Sequence, residues 1–183
     1  MHKALFLLIL TSLSLVQETP KLMKTKVSDD ISVMLPKDFV PMGDLDFTQR
    51  YPSVRKPLGA FTNPEHEVDF SANISATSWP DGNLEMAQKF FKAGIVNMFD
   101  RVEMIHEGIQ EVNGKKLIYF EFESRVKGDK TTLGLDEPVL KYSYLEYLVE
   151  PTRTLVFSFN CPRRLKEDWQ ATADKIMKSV KIK

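Results

Sequence analysis

Three histidines, one cysteine and a scatter of carboxylates are the side chains of this 183-residue chain best suited to acid–base, nucleophilic or metal chemistry. His66 sits in Glu65-His66-Glu67, with Asp69 two places on, a string that invites a metal reading. An extended strand turns alternate residues to opposite faces, so His66 would point away from Glu65 and Glu67. The carboxylates at 65, 67 and 69 would share one face at about 7 Å spacing. That separation attracts a cation loosely and does not coordinate it tightly. The string reads as a solvated edge, and no metal site is expected.

His106 lies in Glu103-Met104-Ile105-His106-Glu107, where carboxylate neighbours would suit it to proton transfer. Nothing identifies a nucleophile for it to activate: there is no Gly-x-Ser-x-Gly elbow, no His-Glu-x-x-His and no glycine-rich phosphate loop. Cys161 with a histidine elsewhere is the minimum for thiol catalysis. It follows the apolar run 155–159 and precedes Pro162, the setting of an inert cysteine at a strand end. No catalytic residue is assigned and no cofactor is called for. The alternative class is a secreted hydrolase using His106 or Cys161.

Aromatic side chains offer a binding reading instead. Tyr119, Tyr142, Tyr144 and Tyr147 fall on segments that read as strands and could line a ligand-binding groove, since tyrosine joins apolar area to a hydrogen-bonding tip. The plainer reading is β propensity and packing. Asn73-Ile74-Ser75 matches a glycosylation acceptor, but on a strand it reads as accidental.

The elements that must position these residues follow from periodicity. Ile31, Val33 and Leu35 alternate with polar neighbours up to Pro36, and 37–57 reads as loop with a short strand at 47–51. Residues 67–79 alternate as a long strand with one face in the core and one wet, with 58–61 as its hairpin partner. Asp81 or Asn83 is placed to cap a helix whose stripe is Leu84, Ala87, Phe91, Ile95 and Met98. Strands at 102–112 and 116–126 meet at Asn113-Gly114, the strongest hairpin signal present, and 142–149 and 154–159 form another hairpin. The chain closes on a helix over 163–180 with Leu165, Trp169, Ala173, Ile176, Met177 and Val180 on one stripe, so Trp169 is expected against the sheet. Without βαβ alternation the fold class is α+β: a single domain in which an antiparallel β-sheet carries two main helices.

Composition sets the address and excludes partners. Residues 1–16, with His2 and Lys3 before the apolar run 4–10, read as a signal peptide too short to span a membrane. Residues 17–26 read as a flexible lead-in and 27–183 as the domain. The expected location is exported, periplasmic or extracellular. With 25 Lys+Arg against 25 Asp+Glu the chain has no net field for nucleic acid or an anionic membrane surface. One cysteine rules out an internal disulfide, so stability must come from packing. An exported binding or accessory protein is the leading reading: a monomer with no membrane span, no nucleic acid, and an unknown protein or small ligand as partner.

The order of elements resembles the PsbP-like α/β/α sandwich superfamily, which includes the photosystem II extrinsic protein fold and DcrB-like exported bacterial proteins. The resemblance runs over 27–183 and rests on ISVMLPKDF, on EVDFSANISATSW leading into NLEMAQKFFKAGI, on EVNGKKLIYFEFE, and on TLVFSFNCPRRLKEDWQATADKIMKSVKI. It implies binding or assembly more often than catalysis and supplies no catalytic set to carry over. Unlike many bacterial members, this chain has no lipidation cysteine after its apolar leader.

Overall fold

Asn113 and Gly114 both take positive φ, 49° and 79°, the backbone that a two-residue hairpin requires, and they join the two longest strands, β6 (Arg101–Val112) and β7 (Lys115–Val126). The computed structural model describes residues 20–50, 56–77, 79, 82–126 and 138–183. The leader expected over 1–16 lies outside the described residues.

The remaining elements, in chain order, are β1 (Leu22–Lys26), β2 (Ile31–Pro36), β3 (Val40–Pro41), α1 (Asp44–Arg50), β4 (Gly59–Thr62), β5 (Asp69–Ile74) and α2 (Leu84–Met98) ahead of β6. After β7 come β8 (Val139–Val149), β9 (Thr154–Pro162), a 3-10 turn (Arg163–Leu165), α3 (Lys166–Met177) and β10 (Lys181–Ile182). A seven-stranded sheet runs β3-β4-β5-β9-β8-β7-β6 with every neighbouring pair antiparallel. A small sheet, β1-β2-β10, lies beside it.

Alternation along the strands builds two cores, one on each side of the large sheet. Ile118, Phe120, Phe122 and Tyr147 meet Ala87, Phe91 and Ile95 of α2 on one side. Phe70, Phe157, Phe159 and Leu155 meet Ala173, Ile176 and Met177 of α3, with Ile31, Val33 and Leu35 of β2, on the other. Burying each of these large side chains contributes roughly 1.5–3 kcal/mol before entropy is counted. The result is an α+β domain with a helix on each face of an antiparallel sheet, as expected. α2 starts where Asn83 caps it, its side chain accepting from the Met86 amide.

Several elements differ from expectation. The lead-in over 17–26 is not flexible from Leu22 on: β1 pairs with β2 along its whole length, an edge strand whose mostly polar side chains gave no hydrophobic period. The strand expected at 47–51 is the helix α1 as far as Arg50, whose first turn carries Asp44 and Asp46 and whose start is tied by Asp46 to the Gly43 amide. The strand expected over 67–79 is regular only at 69–74, and its second face is not wet, because β5 is interior. Asp69 accepts from Asn160, Ser71 bonds Ser158, and both are buried. The last helix stops at Met177, and buried Val180 leads into β10. Trp169 does lie on the sheet, its ring 5.8 Å from Phe39 and 6.0 Å from Phe159, but it is half-buried.

Candidate functional site

Beneath α3 the sheet changes character from strand to strand. On β9 the facing residues are Phe157, Phe159 and Cys161; their partners on β8 are Glu146, Tyr144 and Tyr142, followed on β7 by Tyr119, Glu121 and Glu123. On β6 the partners are Gly108, His106 and Glu103. His106 holds its place because of a bulge. Glu103 faces Glu123 and Met104 faces Phe122, so simple alternation would set Ile105 opposite Glu121; the register shift puts His106 there instead.

α3 answers with a polar row at every fourth residue, Lys166, Gln170 and Asp174, continued by Lys178 at its end. Lys166 Nζ lies 2.7 Å from Glu123 Oε1. Gln170 Nε2 donates to Glu121 Oε1 at 2.6 Å, and the Tyr142 hydroxyl donates to the same oxygen at 2.8 Å. The other oxygen, Oε2, lies 2.8 Å from His106 Nδ1. Glu121 is therefore buried and held from three elements, with α3 tied to the outer half of the sheet through it.

Further along the seam Glu146 is fully buried. Gln110 Nε2 donates to its Oε1 at 2.8 Å and to the Tyr144 hydroxyl at 3.1 Å, while Oε2 has no hydrogen-bond partner among the described residues. Burial pushes its carboxyl up to about 8, opposed by the Gln110 bond and reinforced by the charge of Asp174. Burial also pushes the Tyr142 and Tyr144 phenols well above the ordinary range. Tyr119 leans over Gly108, where a Cβ would come within 3.1 Å of its ring.

Because β6 is the edge strand, the seam opens to solvent there. A groove of about 360 Å³ is lined by His106, Glu121, Glu167, Gln170, Ala171 and Asp174. Its lining combines one histidine, three carboxylates, an amide and an alanine.

The four tyrosines expected to line one groove are divided. Tyr142 and Tyr144 are buried in the seam and Tyr119 is half-buried at its edge, 6.1 Å from Tyr144. Tyr147 faces the other way and stacks on Phe91 at 4.3 Å, its phenol pushed up to about 12 by burial. An odd residue on a strand cannot share a face with 142 and 144, so parity separates them.

Glu65, Glu67 and Asp69 share no face either, because the chain turns at His66, whose φ is 56°. Glu65 accepts from Asn63, Glu67 pairs with Arg164, and His66 pairs with Asp46 at 3.0 Å. Among the described residues no three His, Cys, Asp or Glu side chains are grouped to hold a metal ion. Cys161 is buried, and burial raises its thiol to about 12. It stands three strands from β6, a separation of about 14 Å at the usual strand spacing, so it forms no dyad with His106. Sequence reasoning missed Gln110, Glu121, Glu146 and Gln170. For Glu121 and Gln170 the signal was the alternation of Tyr119, Glu121 and Glu123 with the fourfold spacing of 166, 170 and 174.

The sequence matches no protein-family profile and no curated protein. Solved structures do match. The cyanobacterial PsbP (CyanoP) from Synechocystis sp. PCC 6803 aligns with a TM-score of 0.59 at 11% identity, over 91% of this chain and 95% of that one. The Saccharomyces cerevisiae Ran-binding protein Mog1p aligns with 0.54 at 9%, over 90% and 96%. LpqN of Mycobacterium tuberculosis, involved in cell envelope biogenesis, aligns with 0.54 at 12%, over 88% and 91%. These three share the PsbP-like fold, and this chain has it too.

Proposed function

We propose that this chain is an exported, non-enzymatic accessory protein that binds a protein partner or a small ligand through the groove between β6 and α3. The carrying observation is the state of its best acid–base residue: His106 is paired with Glu121, whose remaining oxygen is taken by Tyr142 and Gln170, and among the described residues it is not paired with a hydroxyl or thiol. Such a network orients and rigidifies a surface; it lacks the nucleophile that hydrolysis by a histidine needs. The fold relatives add support of a coarse kind, one being described as Ran-binding and another as acting in envelope biogenesis. Export rests on the leader read in residues 1–16.

The test sets the two classes side by side. Wild type, His106→Ala and Cys161→Ala are screened for ester, peptide and glycoside hydrolysis and used to capture partners from the exported fraction of the native host. The accessory reading expects no turnover and a partner retained by Cys161→Ala. Turnover lost in either variant would establish the hydrolase. Amino-terminal sequencing checks export, with a mature start between about 15 and 20 expected and an intact Met1 form in the cytoplasm overturning it.

A further inference from the structure

Four cations gather on the α3 side of the sheet where β6, β7 and β8 end. Arg101 of β6 stands directly opposite Arg125 of β7, and Arg125 stands opposite Leu140 of β8. Arg163 and Lys166 reach the same floor from the turn and helix above it, both bonded to Glu123, at 2.5 and 2.7 Å. Arg101, Arg125, Arg163, Glu123 and Leu140 are among the residues lining a cleft of about 290 Å³.

Two guanidiniums facing each other across a strand pair repel, and the arrangement is unfavourable unless something anionic lies between them. Among the described residues, two carboxylates line the cleft. Glu123 is already taken by Arg163 and Lys166, and Glu103 approaches Arg101 only to 3.8 Å. Of the described residues that line the cleft, three are arginines and two are carboxylates, a positive balance. Glu123 engages Arg163 through Nε. The planar forks of Arg101 and Arg125, both exposed, match the oxygens of a tetrahedral oxyanion in bidentate fashion.

We infer that the cleft between Arg101, Arg125 and Arg163 binds a phosphate-type oxyanion, free in solution or borne on a lipid headgroup. This is a second site that shares no lining residue with the β6–α3 groove, and it does not depend on the reading of that groove. Phosphate neutralises the opposed arginines while Leu140, partly exposed on the floor, accepts the apolar atoms next to a phosphoryl group.

The purified chain is titrated with inorganic phosphate, and with sodium chloride at matched ionic strength, following Tm and calorimetric binding. Saturable binding beyond the chloride control is expected, with Kd raised at least tenfold in Arg101→Gln/Arg125→Gln. Arg125→Gln alone should raise Tm without phosphate and abolish the phosphate-dependent rise, a pairing that general loss of structure cannot mimic. Sedimentation with phosphatidylglycerol vesicles, against phosphatidylcholine vesicles, separates the sources: arginine-dependent pelleting assigns the headgroup, and phosphate binding without pelleting assigns the free ion. Absence of both, or binding equal in the double variant, overturns the inference.

Discussion

His106 Nδ1 lies 2.8 Å from Glu121 Oε2 because one extra residue in β6 carries the histidine onto the α3 face. The bulge at Met104/His106 thus completes a buried carboxylate's set of partners: histidine from β6, tyrosine from β8 and glutamine from α3.

Removing that carboxylate should be costly. Glu121→Ala leaves the Tyr142 hydroxyl and the Gln170 amide without their acceptor, one of them fully buried. Each orphaned group costs on the order of 1–3 kcal/mol. Denaturant unfolding should show a loss of about 3 kcal/mol for Glu121→Ala and clearly less for Glu121→Gln, which keeps an acceptor oxygen. Equal losses would contradict the network.

Glu146 should make stability fall as pH rises. Its carboxyl titrates near 8 in the fold and near 4.5 when unfolded, so between those values the native state holds a proton that the unfolded chain has released. The stabilisation is complete below about 4.5 and shrinks by on the order of 1 kcal/mol per pH unit up to about 8. Glu146→Gln keeps the shape and removes the charge. Thermal melts from pH 5 to 9 should show a flatter profile and a higher Tm at pH 8 for the variant; parallel profiles would contradict the buried acid.

Much of this fold was legible as period. Val68, Phe70 and Ala72 announce a strand, Ala87, Phe91 and Ile95 a helix, and Asn113-Gly114 a hairpin. What stayed hidden was whatever periodicity does not encode. β9 inserts between β5 and β8, a pairing of distant segments that no local pattern reports. Glu121, Glu146 and Ser71 are polar, yet they lie inside, satisfied or nearly so by equally polar partners from other elements. The bulge defeats alternation at His106, whereas Tyr147 could have been separated from Tyr142 and Tyr144 by parity alone.

Trp169 should behave as a packing residue. Its ring lies against Phe39 and Phe159, so Trp169→Ala removes the contact joining α3 to the segment after β2. Because it is half-buried, a loss of roughly 3 kcal/mol is expected, the low end for a truncated tryptophan. A loss under about 1 kcal/mol would mark it as a surface anchor instead.

The Cys161 thiol should be inert in the folded protein. With its pKa pushed up to about 12 by burial, little thiolate forms at pH 8. Labelling by an aromatic disulfide reagent should be slow in buffer and complete within minutes in denaturant. Rapid labelling of the native chain would return Cys161 to the list of reactive groups.

Filling the groove beside His106 and Gln170 tests most directly the proposal that it binds a partner. Ala171 is exposed on the groove wall, so Ala171→Arg should fold with an unchanged melt while placing a long cation across the opening. Quantitative capture from the host's exported fraction, wild type against Ala171→Arg, should recover a partner with the first and at least tenfold less with the second. Equal recovery by both would contradict the assignment of the groove.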